Sequence, residues 1–130
     1  MVIDTSALLA ILTNEPERHH FNALICSAYP RLISVGSYLE TAIVVNSRYG
    51  YEGVRDLRLL IDTAKIETRP FDANQVSIAM RAYFKYGKGT HPAAPNFGDC
   101  FSYALSKSTG ESLLFKGDDF TKTDVLIVGE

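Results

Sequence analysis

The sequence predicts an α/β fold, a three-layer α/β/α sandwich with a short, mainly parallel central sheet. Short apolar runs that fit buried strands alternate along the chain with longer segments in which apolar residues recur at helical spacing. This alternation is typical of βαβ units with helices on both faces of the sheet. The chain has 130 residues, 46% of them hydrophobic, so we expect a single domain over residues 1–130.

The first half of the chain predicts two strands and four helices. Thr5 or Ser6, directly after the first strand, is a suitable cap for the first helix, and Gly50 lies where glycine is favoured just beyond a helix. In order, the predicted elements are a strand at 2–3, a helix after Thr5 or Ser6 that carries Leu8, Leu9, Ile11 and Leu12, a helix at 21–28, a strand at 31–35 and helices at 37–49 and 53–64.

The second half predicts three more strands and two helices. Asp72 can cap a long helix that breaks at Gly87 and Gly89, and a loop containing prolines then leads to Asn96. In order, the predicted elements are a strand at 65–69, a helix from 73 to about 86, a helix at 98–109, a strand at 112–115 and a last strand at 124–128.

Charge and composition exclude several classes of protein. With 15 acidic and 13 basic residues the net charge is −2, so no overall positive field attracts nucleic acid, although local patches remain possible. The apolar runs are far shorter than the ~20 residues of a membrane span, and the first residues do not resemble a signal peptide. Cys26 and Cys100 match no zinc pattern and fit a reducing cytoplasm. We therefore expect a cytoplasmic protein that is not inserted in a membrane.

Acidic residues follow the predicted strands at the places where α/β folds form their sites. Functional groups in such folds collect outside the carboxyl ends of parallel strands. Asp4 ends the first strand, Glu40 lies in the first turn of the helix after the second strand, and Asp99 opens a later helix. Asp118 and Asp119 come shortly after the fourth predicted strand. We expect these carboxylates to lie close together.

Clustered carboxylates repel one another unless a cation lies between them. Mg²⁺ binds a few carboxylates plus waters, and one or two such ions, or Mn²⁺, can activate water for cleavage of a phosphodiester. Each acid also has a purely structural interpretation. Asp4 and Asp99 can serve as helix-terminal acids, Asp118 and Asp119 as turn residues, and Glu40 as an ordinary surface glutamate.

The order of these acids resembles that of PIN-domain ribonucleases, and more closely that of the VapC toxins of VapBC toxin–antitoxin pairs. The resemblance runs essentially from end to end, and the four segments in sequence order are more specific than any one alone. The segments are Val2-Ile3-Asp4-Thr5-Ser6-Ala7, Ser37-Tyr38-Leu39-Glu40-Thr41, Asn96-Phe97-Gly98-Asp99-Cys100 and Leu113-Leu114-Phe115-Lys116-Gly117-Asp118-Asp119-Phe120.

The resemblance implies a Mg²⁺-dependent endoribonuclease, with Mn²⁺ as a possible substitute, that cuts RNA and inhibits translation. The acidic centre of the family corresponds to Asp4, Glu40 and Asp99, which would bind metal together with a fourth acid. The family often places that acid three residues before an aromatic, which is Gly117 here. The chain instead offers Asp118 and Asp119, of which Asp119 is favoured.

Further residues follow from the resemblance and from the charge pattern. Three small polar residues match family positions that orient carboxylates or water: Thr5, Ser6 and Asn96. Basic residues that can bind RNA phosphates, Arg81, Lys85 and Lys88, alternate with Tyr83, Phe84 and Tyr86. These aromatics can stack on unpaired bases, or they can belong to the core. The resemblance also implies a VapB-like antitoxin that blocks the acidic pocket, and a homodimer.

Two other functions compete with this hypothesis. An aspartate at the end of a first strand can accept a phosphoryl group, as in phosphatases similar to haloacid dehalogenases. Those enzymes carry Asp-x-Asp there, and this chain has Ser6 in place of the second acid. The other alternative is a catalytically silent PIN-like module that binds RNA or protein. Metal-dependent RNA cleavage distinguishes the three.

Overall fold

The architecture was obtained as a computed structural model, which describes residues 1–86 and 95–129. It confirms the predicted order of strands and helices up to the fourth strand. The elements are β1 (Val2–Ile3), α1 (Thr5–Leu12), α2 (Arg18–Ser27), β2 (Leu32–Ser34), α3 (Val35–Tyr49), α4 (Tyr51–Thr63), β3 (Glu67–Arg69), α5 (Ala73–Tyr86), α6 (Asp99–Thr109) and β4 (Leu113–Leu114).

The four strands form one parallel sheet in the order β3-β2-β1-β4. Val2 pairs with Leu32 on one side and with Leu113 on the other, so β1 lies in the interior of the sheet. β2 pairs with β3 from Leu32 opposite Glu67 onward. Each strand is only two or three residues long.

Alternation along the strands separates two layers of helices. Val2, Leu32 and Leu113 form an apolar cluster with residues of α5 and α6. Their neighbours along each strand belong instead to a cluster with α1 to α4: Ile3, Ile33 and Leu114. Successive residues of a strand point to opposite faces, so the sheet is covered on both sides. The predicted three-layer α/β/α sandwich is therefore confirmed.

The strand order places the candidate site between β1 and β4. The chain leaves β1 through α1 and α2 and returns as β2 on one side, whereas β4 lies on the other side of β1. Such a point of divergence opens a crevice at the carboxyl ends of the strands. Asp4 follows β1 directly and Asp119 follows β4 by five residues, so both acids reach this edge.

Two local predictions are wrong. Residues 124–128 do not form a strand; they contribute a single parallel bridge between Ile127 and Leu113. Helix α3 begins at Val35, with the Ser34 hydroxyl accepting the Gly36 N–H, so Glu40 lies in the second turn and not in the first. The predicted break at Gly87 and Gly89 lies outside the described residues.

The cap of α5 agrees with the prediction, since Asp72 accepts the Gln75 N–H at 2.9 Å. Cys26 is exposed, Cys100 is buried, and both are free thiols. Among the described residues, no helix is both long enough and apolar enough to cross a membrane.

Candidate active site

Asp4 both caps helix α1 and lies in the acidic pocket. Its Oδ2 accepts the backbone N–H of Ser6 at 3.0 Å and the Ser6 hydroxyl at 2.7 Å. Its Oδ1 accepts the hydroxyl of Ser102 at 2.6 Å. Burial raises the pKa of Asp4, and these hydrogen bonds work in the opposite direction. The capping interpretation is confirmed, and the predicted catalytic role of the same side chain stays a prediction.

Serines from three helices hold this carboxylate in place. The Ser102 hydroxyl lies 3.1 Å from the hydroxyl of Ser37 on α3, and the Lys116 N–H donates to the Ser6 hydroxyl at 2.9 Å. Ser102 and Ser37 are fully buried, and the sequence analysis missed both. The one available signal for Ser102 is its position three residues after Asp99, which places it on the same side of α6.

Asp99 and Asn96 hold each other at the start of α6. The Asn96 N–H donates to Asp99 Oδ2 at 2.8 Å, and the Asp99 N–H donates to the Asn96 side-chain oxygen at 3.0 Å. Burial, together with the charges of Asp4 and Asp119, raises the pKa of Asp99 from its ordinary 3.8 to about 8. The bond from Asn96 opposes this shift. Asn96 therefore orients Asp99, as its predicted role requires.

Of the two candidates for the fourth acid, Asp119 is the one that acts on the pocket. Its negative charge raises the pKa of both Asp4 and Asp99. Asp118 instead belongs to a turn, where its backbone oxygen accepts the N–H and the hydroxyl of Thr121. Both side chains are exposed, so burial does not distinguish them. The difference is that the charge of Asp119 acts on Asp4 and Asp99.

Glu40 closes the pocket from α3. Burial raises the pKa of this half-buried carboxyl group and the charge of Asp4 adds to the shift, whereas the Thr5 hydroxyl opposes it. Gly98 lies directly against the carboxylate, so a Cβ at position 98 would overlap the oxygens of Glu40. Thr5 is fixed in turn because it donates to the Ser37 carbonyl at 3.2 Å and accepts the Thr41 hydroxyl at 3.1 Å.

No positive side chain of the described residues compensates these acids. In the described ranges, 1–86 and 95–129, none of Asp4, Glu40, Asp99 and Asp119 forms an ion pair. Buried carboxylates without a partner are costly, and a divalent cation is a chemically suitable one. No three His, Cys, Asp or Glu side chains of these ranges are already arranged around a metal position. Mg²⁺ needs only one or two carboxylates plus waters, so the donor set fits this ion.

Two of the three predicted RNA-binding residues, Arg81 and Lys85, lie on α5. Arg81 and Lys85 line a cavity of about 390 Å³ between α5 and α6, and Lys88 lies outside the described residues. Tyr86 is buried in the core, which was the alternative to a base-stacking role for this residue, whereas Phe84 is 70% exposed. Phe84 is therefore the aromatic side chain of α5 that is most available to a partner.

Two apolar grooves border the pocket and share Phe97 and Phe101. One, of about 300 Å³, lies along α5 and includes Met80 and Phe84. The other, of about 270 Å³, lies along α3 and includes Glu40. Phe97 is 75% exposed. An acid of the pocket thus adjoins a continuous apolar surface that includes residues of three helices.

Comparison with known proteins gives a consistent result. A family model described as the PIN domain matches residues 1–126. The chain is 51% identical over 128 residues to Ribonuclease VapC of Mycolicibacterium smegmatis, covering 98% of this chain and 99% of that protein. It is 48% identical over 128 residues to VapC ribonuclease Mb0640 of Mycobacterium bovis, covering 98% of each.

The fold also matches a solved structure. The crystal structure of Mycobacterium tuberculosis VapC20, described as a sarcin-ricin loop cleaving toxin, superposes with a TM-score of 0.78 at 18% identity. The match covers 98% of this chain and 97% of that one. At this identity the likeness supports the fold alone.

Proposed function

The chain belongs to the PIN domain family, and from that premise we propose that it is a metal-dependent endoribonuclease, the toxin of a VapBC-type toxin–antitoxin pair. The family model covers residues 1–126, and relatives of nearly equal length are named VapC ribonucleases. One observation carries the catalytic part of the proposal: Asp4 after β1, Asp119 after β4, Glu40 on α3 and Asp99 at the start of α6 lie close enough for charge effects among them, and no cation of the described residues pairs with them.

Asp4 and Asp99 are proposed to hold the metal ion, Mg²⁺ or alternatively Mn²⁺. When bound, such an ion would neutralise phosphate charge and lower the pKa of a water at the scissile phosphate. Asp4 is already oriented by Ser6 and Ser102, and Asp99 by Asn96. These two side chains would therefore need little rearrangement to bind the ion. Ligands that are already held in position lower the cost of reorganisation during catalysis.

Glu40 and Asp119 are proposed to complete the negative pocket. Burial raises the pKa of Glu40, which makes this carboxylate a stronger base and a candidate to accept a proton from the attacking water. Asp119 lies on an exposed turn, where it remains accessible to substrate. The RNA is cut without a covalent intermediate on the protein, and the outcome for the cell is inhibition of translation.

An antitoxin segment of mixed apolar and basic character would fit the same region. Its apolar residues would cover the grooves beside Phe97 and Phe101, and an arginine would pair with the acids in bidentate fashion. The proposed cellular location is the cytoplasm, which contains RNA and keeps thiols such as Cys26 reduced. The homodimer also remains a prediction.

The proposed activity is tested by incubating antitoxin-free protein with total cellular RNA in Mg²⁺ or in EDTA. We expect discrete fragments in Mg²⁺ and none in EDTA. Asp4→Asn and Asp99→Asn remove a charge at nearly constant volume, and each should slow cleavage at least ~100-fold, about 2.7 kcal/mol of barrier.

The matched control is Asp56→Asn, which changes an exposed aspartate of α4 and should cleave like the wild type. Cleavage that persists in EDTA, or that survives in both pocket variants, would contradict the proposed mechanism. RNA binding by folded protein without any cleavage would favour the catalytically silent module.

A further inference from the structure

A second polar cavity lies outside the acidic pocket, between α5 and α6. It has a volume of about 390 Å³. Its charged lining residues are Arg81 and Lys85 from α5, Lys107 from α6, and Asp124 from the segment after β4. Three positive groups and one carboxylate give this cavity a local charge of about +2, in a chain whose net charge is −2.

The charged residues of the cavity differ in whether they form ion pairs. Asp124 accepts the hydroxyl of Tyr103 at 2.5 Å and pairs with Lys107 at 3.1 Å. Arg81 and Lys85 are exposed, one helical turn apart on α5, and no carboxylate of the described residues lies within ion-pair distance of either. Arg81 and Lys85 therefore have no carboxylate partner among the described residues, although the Lys85 ammonium lies over the Tyr86 ring, 5.0 Å from its centroid, whereas Lys107 is held by Asp124.

The cavity and the acidic pocket lie along the same side of α6. Asp99, Tyr103 and Lys107 are spaced four residues apart, so they form one row along the helix. The segment after β4 contacts this row through Asp124, which bonds to Tyr103 and Lys107. In the same segment, the charge of Asp119 acts on Asp99. At 1.5 Å per residue, Asp99 and Lys107 are separated by about 12 Å along the helix axis.

We propose that this cavity is a phosphate subsite for the RNA substrate. Arg81 and Lys85 contact a backbone phosphate a few nucleotides from the bond at the acidic pocket, and Lys107 adds a contact that is limited by its pairing with Asp124. A phosphodiester suits the cavity because guanidinium and ammonium groups bind its oxygens through charge-assisted hydrogen bonds. The inference rests on the proposed function in that it takes RNA as the ligand.

The test measures RNA binding separately from cleavage. A short fluorescently labelled single-stranded RNA is titrated with the full chain in EDTA, and its anisotropy is followed at several salt concentrations. Arg81→Gln/Lys85→Gln should weaken binding about 10-fold or more at low salt. Because each neutralised phosphate of a single strand contributes about 0.7 to the slope of log K against log salt, loss of this one phosphate contact should reduce the slope by about 0.7.

The matched control removes two charges elsewhere on the surface. Arg48→Gln/Arg58→Gln changes exposed arginines of α3 and α4 and should retain the wild-type affinity and salt slope. A third variant, Asp124→Asn, keeps an oxygen for the Tyr103 hydroxyl but releases Lys107. It should bind the RNA several-fold more tightly and with a steeper salt slope.

The outcomes separate this inference from the proposed activity. Equal binding by the two double variants, weaker binding by Asp124→Asn, or no RNA binding by the wild type would each overturn the subsite. A selective loss in Arg81→Gln/Lys85→Gln would support it even if Mg²⁺ produced no cleavage, a result that would overturn the proposed activity alone. Thermal unfolding checks that each variant is folded.

Discussion

The individual acids of the pocket differ in how they are held. Asp4 and Asp99 are buried and each accepts at least one backbone N–H, whereas Asp119 is exposed and acts on them through its charge. Hydrogen bonds stabilise the ionised form of a carboxylate, while burial and like charges oppose it. For Asp99 the opposing effects are the stronger, since its pKa rises to about 8.

Asp119→Asn and Asp118→Asn are expected to differ although the two aspartates are adjacent. Loss of Asp119 should reduce the initial rate of cleavage of a fluorescent RNA about 10-fold or more, because it removes a charge that acts on both Asp4 and Asp99. Loss of Asp118 should change the rate by about two-fold at most, since this residue serves the turn through its backbone oxygen. The reverse order of effects would assign the fourth acid to Asp118.

Asp99 should make the metal-free protein less stable as the pH rises. Between about pH 4 and pH 8 the unfolded chain has released the proton that the folded chain still holds, so the free energy of unfolding falls with pH across this window. In EDTA, the wild type should lose on the order of 2 kcal/mol more than Asp99→Asn between pH 5 and pH 8.

Thermal unfolding of both proteins at the two pH values measures this difference. At pH 5 the two should be similar in stability, and at pH 8 the variant should unfold at a temperature several degrees higher. Parallel loss of stability in both proteins would mean that Asp99 ionises normally in the fold.

The acids that follow strands were predictable from the sequence, and the serines around them were not. Asp4 and Asp99 lie next to recognisable element boundaries, where parallel strands and helix starts direct side chains to one edge. The bond between Ser102 and Asp4 joins residues 98 positions apart. Periodicity relates only near neighbours along the chain, so such a contact becomes visible only when the helices are packed.

At the scale of elements, the errors occur where tertiary contacts decide the outcome. Residues 124–128 carry an apolar pattern, but Asp124 is held by Tyr103 and Lys107 on α6, and only Ile127 makes a strand-like bridge. Helix α3 begins two residues earlier than predicted because Ser34, the last residue of β2, also serves as its cap. The second difference concerns the end of an element, which local propensity specifies weakly.

Gly98→Ala should displace the carboxylate of Glu40 without changing the stability of the fold. The backbone at Gly98 is helical, so alanine is conformationally acceptable there, but its Cβ would displace the carboxylate of Glu40. We expect a melting temperature close to that of the wild type and a cleavage rate about 10- to 100-fold lower.

Gly110→Ala is the complementary variant. Gly110 ends α6 with a φ of 75° and has no atoms near an added Cβ. Alanine there should cost about 1 kcal/mol of stability without changing the rate per folded molecule. Equal rates for Gly98→Ala and the wild type would remove Glu40 from the proposed mechanism.

At the scale of the whole molecule, the fold collects charge that is dispersed along the sequence. Acids from four separate segments meet at one edge of the sheet, while Arg81 and Lys85 lie in a cavity further along α6. A net charge of −2 conceals this separation. The layer order and the location of the acids followed from alternation and strand ends, whereas the cavity depends on how α5 and α6 pack.

The central claim is that the acidic pocket binds a divalent cation, and isothermal titration calorimetry with Mg²⁺ or Mn²⁺ tests it most directly. At pH 7 the raised pKa of Asp99 means that binding should release close to one proton. The heat should therefore depend on the ionisation enthalpy of the buffer. Asp4→Asn and Asp99→Asn should bind at least ~10-fold more weakly, and Asp56→Asn should bind like the wild type. Equal binding by all four proteins, or no binding by the wild type, would contradict the account.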